Sequence, residues 1–165
     1  MKITLEMMEM ANIPYSWNTI YTALLYDFIE ITEVEKYAII LINQNEYVEN
    51  SFYYDILWGG KSKTDVIQML LEEKLVELAN IMIEKELEKI KYVMLYCLNK
   101  NFHNSVEILL TKIAEIYADF NYPEDMSHFV YYMPINNPFP MDHKDAKQTL
   151  IYNFENYLLE LKQKL

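Results

Sequence analysis

The chain contains no arginine. All fourteen of its cations are lysines, and they stand against 25 acidic residues, so the net charge is −11. The guanidinium fork of arginine is the preferred protein group for binding phosphates and guanine edges. Because the chain lacks this group and is strongly acidic, we predict that neither a nucleic acid nor an anionic membrane is its partner.

Cysteine and long apolar runs are also scarce. Cys97 is the single cysteine and lies among apolar residues, so we expect a buried, inert thiol in a reducing compartment. The longest apolar run is "YAIILI", residues 37–42, which is far too short to span a membrane. No apolar segment followed by a small-residue cleavage site is found at the N-terminus. We therefore expect a cytoplasmic protein.

Glycine occurs only as the pair Gly59–Gly60, and the 165 residues include five prolines. Such sparse turn residues leave long segments with helical spacing of apolar side chains. The hydrophobic fraction of 52% is typical of a globular chain. The sequence predicts an all-α fold, a single-domain bundle of seven to eight helices over residues 1–165.

Several helix boundaries are predicted in the first half of the chain. Ser16 precedes one periodic segment, and Thr32 with Glu35 matches a capping box before a second. The short helix "SFYYDILW" is expected to end at Gly59–Gly60, where a left-handed residue closes a helix at little cost.

The second half contains the longest periodic stretch, residues 63–99, which begins after Ser62 or Thr64. It fits two helices meeting near Asn80–Glu84, or one long helix. Further helix starts are predicted at Asn104, with Glu107 completing a capping box, at Pro123 as a first helical position, and at Asp142. The last helix should run to about Gln163, with its buried face formed by Leu150, Phe154, Tyr157, Leu158 and Leu161.

The common catalytic constellations are missing from the sequence. It has no glycine-rich phosphate loop, no pair of cysteines and no histidines spaced for a zinc helix. We therefore predict no catalytic residue, no metal and no cofactor. One alternative stays open, in which His128 or His143 joins Asp125 or Asp142 in a metal site after folding.

Residues 115–134, "EIYADFNYPEDMSHFVYYMP", combine six aromatics with four acids, and no lysine occurs from Ile113 to His143. We expect Ile116, Phe120, Phe129 and Met133 to close the core. An alternative is that the acids only complement helix ends. The residues predicted to form a cation-free surface patch for a basic partner are Asp119, Tyr122, Glu124, Asp125 and Asp142.

This segment and "NIPYSWNTIY", residues 12–21, resemble a family of small, acidic, helical bacterial proteins of unknown biochemical function. The resemblance runs nearly end to end, and "IYADFNYPEDM" is its most specific part. It implies no catalytic residues. Some members of the family lie beside polymorphic or contact-dependent toxin genes, so the resemblance implies an immunity role.

The leading hypothesis is a non-catalytic, acidic binding protein that neutralises a cognate bacterial toxin by direct binding. A toxin that acts on nucleic acid is basic, because it must hold phosphates. Acidic charge and aromatic anchors suit the binding of such a partner. The alternatives are a general protein-interaction or scaffold module, and an enzyme or ligand-binding helical domain whose site is assembled only by folding.

Overall fold

The computed structural model describes residues 1–44, 52–78, 81–134 and 143–165. Helix covers 71% of these residues, and they form no strand, which confirms the all-α prediction. A β-bridge joins Ile3 to Ile29. The helices are α1 (Leu5–Met10), α2 (Trp17–Leu25), α3 (Ile31–Asn43), α4 (Phe52–Leu57), α5 (Lys63–Glu72), α6 (Ile83–Phe102), α7 (Val106–Asp119), a 3-10 helix (Glu124–Phe129) and α8 (His143–Lys164).

The chain forms two compact units. The N-terminal unit is residues 2–90, and the C-terminal unit is residues 91–165 together with Met1. The boundary falls inside α6, so this helix contributes its first part to one unit and its second part to the other. The prediction of one domain over residues 1–165 stays a prediction.

An aromatic cluster around Trp17 forms part of the core of the N-terminal unit. The Trp17 ring lies 4.7 Å from Tyr37, 5.4 Å from Phe52 and 6.1 Å from Tyr53, measured between centroids. These side chains come from α2, α3 and α4, and all four are buried. Edge-to-face contacts of this kind add to the stability gained from burial of the rings.

Two buried carboxylates connect helices within the same unit. Glu33 of α3 accepts a hydrogen bond from the Leu5 backbone N–H, 2.9 Å away, at the start of α1. Glu86 of α6 accepts a hydrogen bond from the Thr19 hydroxyl of α2 at 2.6 Å. It also forms an ion pair with Lys89 at 3.0 Å. Because a buried charge is costly without partners, these contacts fix the positions of the helices that supply them.

The C-terminal unit packs the 3-10 helix against α8. Phe129 is fully buried, with its ring 4.9 Å from Tyr157 and 5.7 Å from Phe154. Met126 and Val130 are buried beside it. The face predicted for the last helix is confirmed, since all five of its residues are buried: Leu150, Phe154, Tyr157, Leu158 and Leu161.

Four helices end in the same turn without a glycine. The residue after each helix cap has a positive φ of 53° at Asn12, 62° at Asp27, 55° at Lys74 and 60° at Asn121. In each turn, the backbone N–H groups of this left-handed residue and of the residue after it donate to carbonyl oxygens in the last turn of the helix, as in a Schellman motif. A chain with two glycines therefore closes these helices with residues that bear a Cβ atom.

Some predicted helix ends are confirmed and others are wrong. Ser16 and Ser62 occupy N-cap positions, and Gly59 and Gly60 both have positive φ after α4. The Thr32 capping box is wrong, because α3 begins at Ile31 and its N-cap is Glu30, two residues before Thr32.

Three further boundaries differ in the second half. Residues 63–99 form two helices, but the first ends at Glu72, earlier than predicted. Ser105, not Asn104, is the N-cap of α7. Pro123 precedes a single short 3-10 helix, because the chain leaves helical geometry at Val130.

Candidate binding surface

The end of α7 determines where the aromatic segment begins. The backbone N–H groups of Asn121 and Tyr122 donate to Ala118 and Tyr117, and both donors have left-handed φ, 60° and 58°. A left-handed conformation costs a residue with a Cβ about 1–2 kcal/mol. Tyr122 also precedes Pro123, which favours an extended conformation at that position. The fold thus holds Tyr122 in a strained conformation.

Four tyrosines meet around this turn, and we call them the tyrosine cluster: Tyr117, Tyr122, Tyr131 and Tyr132. Tyr117 is 4% exposed and forms the base. The Tyr122 ring lies 5.3 Å from it at 82°, and the Tyr132 ring 6.3 Å from it at 54°. Tyr131 packs on Tyr132 at 5.3 Å and 83°.

Three members of the cluster face solvent. Tyr122 is 59% exposed, Tyr131 53% and Tyr132 50%. Desolvation raises the pKa of Tyr132, and the nearby phenols of Tyr122, Tyr117 and Tyr131 raise it further. The hydroxyl of Tyr132 therefore stays protonated and neutral at physiological pH. The cluster offers exposed rings that end in hydroxyl groups, a combination common in protein interfaces.

Two of the predicted surface acids lie near the turn in sequence. Asp119 is the last residue of α7, and its carboxylate is 2.6 Å from the amino group of Met1. A negative charge at a helix C-terminus opposes the helix dipole, so end-capping does not explain this residue. Glu124 is exposed in the first turn of the 3-10 helix, where a negative charge is favourable.

Asp125 has partners of its own. Its Oδ2 accepts from the Tyr157 hydroxyl at 2.6 Å and from Lys91 Nζ at 3.0 Å. Partial burial on its own raises the pKa of Asp125, but these two hydrogen bonds and the Lys91 charge outweigh it, so the pKa lies below its ordinary value. The surface is therefore not free of cations at this residue, because folding brings Lys91 to it.

Asp142, the fifth predicted site residue, lies outside the described residues, and so does its predicted capping role. Of the four predicted core residues, Ile116 and Phe129 are fully buried, while Phe120 and Met133 are half-buried. The partner-binding role of these four acids and of Tyr122 stays a prediction.

A groove of about 280 Å³ lies between α7 and α8 next to the cluster, and Tyr131 contributes to its wall with Leu110 and Leu150. The Lys147–Glu107 ion pair, 2.6 Å between Nζ and Oε1, also lines it. This pairing lowers the pKa of Glu107, first through the hydrogen bond and then through the charge of Lys147. The groove extends the accessible surface beside Tyr131.

Other candidate chemistry is not assembled in the described part of the chain. Its side chains form no group of three or more His, Cys, Asp or Glu placed to hold a metal ion. The His128 ring packs edge-on against Phe129 and Tyr157, while His143 has no described side chain. Cys97 is buried, and burial raises the pKa of its thiol. None of the described helices has the length and apolar character needed to cross a membrane.

Sequence reasoning found part of this surface. It singled out Tyr122 and the acids of this segment. It missed Lys91 as the partner of Asp125, because the two residues are 34 positions apart and no local pattern connects them.

No curated protein and no solved structure matches the chain. The model of one bacterial family, described as "Uncharacterized protein conserved in bacteria (DUF2247)", matches residues 5–162. Since that match covers nearly the whole sequence, the chain belongs to this family of uncharacterized bacterial proteins.

Proposed function

We propose that this protein is a cytoplasmic, non-catalytic binding protein of immunity type, which neutralises a cognate bacterial toxin by direct contact. The observation that carries the proposal is the exposed tyrosine cluster within a segment that has four acids and no lysine. The resemblance to proteins encoded beside toxin genes supplies the kind of partner. The biochemical task is binding that blocks the toxin's active site or the entry of its substrate.

The cluster has the properties of an interface centre. Tyrosine is among the residues that dominate binding energy at protein interfaces, because it buries a large ring at a low cost in conformational entropy. Tyr122 and Tyr132 pack on Tyr117, and Tyr131 packs on Tyr132, so these contacts already restrict the rotamers of the exposed rings. Less side-chain freedom is then lost on binding, which favours affinity.

The charge of the chain fits a basic partner. At −11, and without arginine, the protein attracts a positively charged domain and repels nucleic acid. Complementary charge mainly accelerates association, whereas the buried contacts at the centre determine dissociation. A toxin that acts on nucleic acid carries the positive surface that this arrangement requires.

The direct test is co-purification with the product of the adjacent gene, followed by kinetic measurement of the complex. Glu124→Gln should slow association at low salt and have little effect at high salt. Glu73→Gln is the matched control, since it removes the same charge from an exposed position in the N-terminal unit. Asp125 is unsuitable for this test, because its substitution also breaks the Lys91 and Tyr157 contacts.

The outcomes separate the candidate functions. A complex that inhibits the toxin and loses on-rate only with Glu124→Gln supports the proposal. Binding without any effect on toxin activity favours a scaffold or interaction module. If the protein does not bind the neighbouring gene product but turns over a small molecule, the enzyme hypothesis is favoured.

A further inference from the structure

The tyrosine cluster has a geometry suited to one kind of side chain. Two of its three ring pairs meet at 82° and 83° with centroids 5.3 Å apart, and the third, Tyr117–Tyr132, is tilted at 54° and 6.3 Å. Tyr122 and Tyr132 contact the buried Tyr117, and Tyr131 contacts Tyr132. Since the three outer tyrosines are each at least half exposed, their rings remain accessible. A cation within about 6 Å of a tyrosine ring face is attracted by the ring's negative charge density.

The strained backbone at Tyr122 is a second, independent observation. This tyrosine has φ of 58° directly before a proline, a conformation that its own preferences oppose. Ile13, Phe28 and Leu75 follow the left-handed residue in the other three turns of this type, and none of them has a positive φ. Strain of this kind persists where the surrounding structure imposes it, and it concentrates at binding sites. At this position the strained backbone holds the Tyr122 ring edge-on to the Tyr117 ring.

No lysine of the surrounding segment is available to occupy the rings. Residues 113–143 contain none, and the flanking Lys112 is paired with Glu115. Among the described residues, the lysine placed over a tyrosine ring is Lys91, which lies 5.6 Å from Tyr157, outside the cluster. The exposed carboxylate of Glu124 follows Tyr122 by two residues. A partner can therefore supply the side-chain cation that this segment lacks.

We propose that the tyrosine cluster is a receptor for an arginine side chain of the basic partner, whose guanidinium lies against the exposed rings of Tyr122 and Tyr132. Arginine suits this place better than lysine, because its planar guanidinium stacks on aromatic faces and is more weakly hydrated. The same guanidinium can donate to a carboxylate such as Glu124. This inference rests on the proposed function for its partner, but the site can be examined alone.

The test uses fluorine NMR of the protein labelled with 3-fluorotyrosine and titrated with a capped Gly-Arg-Gly peptide. The four cluster signals are assigned from single Tyr→Phe variants. We expect saturable shifts of these signals at millimolar peptide. A Gly-citrulline-Gly peptide of the same shape, which is neutral, should produce none. Equal shifts with both peptides would overturn the proposal.

Two substitutions at one position separate ring chemistry from shape. Tyr122→Phe keeps the ring face, so the arginine peptide should bind within about twofold of the original affinity. Tyr122→Leu keeps an apolar side chain but removes the ring, and should weaken binding about fivefold or more. Circular dichroism checks that both variants fold. An arginine affinity that is unchanged in Tyr122→Leu would contradict a cation–ring contact.

The same variants distinguish failure of the site from failure of the function. If the neighbouring toxin binds the original protein and Tyr122→Leu equally well, the arginine receptor is wrong and the binding function stands. If the arginine peptide binds but the toxin does not, the receptor stands and the immunity function is wrong.

Discussion

Replacing Lys74 with glycine should stabilise the protein. Lys74 follows the cap of α5 with φ of 55°, and its N–H donates to Leu71 while that of Leu75 donates to Leu70. The left-handed conformation costs a residue with a Cβ about 1–2 kcal/mol. Glycine avoids this cost but loses about 0.5–1 kcal/mol more conformational entropy on folding. The difference predicts a gain of about 0.5–1 kcal/mol.

Urea unfolding measures this gain as a higher midpoint with an unchanged slope, which shows that stability and not compactness has changed. For a chain of this size the melting temperature should rise by about 1–4 °C. Two controls isolate the Cβ atom. Lys74→Ala removes the charge but keeps the Cβ, so it should bring little or no gain.

The second control is Glu73→Gly at the preceding position, where φ is −78° and the residue is also exposed. Glycine relieves no strain there, so the variant should lose about 0.5–1 kcal/mol. The reasoning is refuted if Lys74→Gly destabilises the protein, or if Lys74→Ala stabilises it as much as Lys74→Gly does.

Three further predictions concern buried groups. Asp125→Asn should lower the free energy of unfolding by about 1–3 kcal/mol in urea titrations at pH 7, because the nearly buried Lys91 loses its counter-charge. The folded pKa of Asp125 is below its unfolded value, so its contribution to the free energy of unfolding is present above the ordinary carboxyl range and is lost as pH falls through the lowered pKa. The variant and the original protein should therefore have the same stability in acid. Thr19→Val should cost about 1–3 kcal/mol, since the buried Glu86 carboxylate loses its hydroxyl donor; no loss on calorimetry would contradict that role. Cys97 should react with a thiol reagent no faster than the rate of local or global unfolding that exposes it. Rapid labelling of the folded protein would show that the thiol is accessible.

The sequence by itself determined the fold class and the starts of two helices, α2 and α5. The apolar spacing in residues 143–165 identified the buried face of α8, because helical periodicity is a local property that tertiary packing reinforced. Ser16 and Ser62 could be recognised as N-caps for a similar reason, since their bonds lie within the first turn: the Ser62 hydroxyl accepts from the Asp65 N–H, and the Ser16 N–H donates to the Thr19 hydroxyl. The acidity of the surface and the absence of arginine are likewise facts of composition.

Tertiary structure decided the candidate site. Asp125 was predicted to be a surface acid without cations, but the approach of α6 and α8 places Lys91 and Tyr157 beside it. Tyr117 and Tyr132 are 15 positions apart and meet because the left-handed turn and the 3-10 helix reverse the chain between them. Asn121 could be assigned to a turn from its type, yet the positive φ of Tyr122 opposes every local preference of that residue. Local preference does not produce such a conformation, so sequence pattern alone does not reveal it.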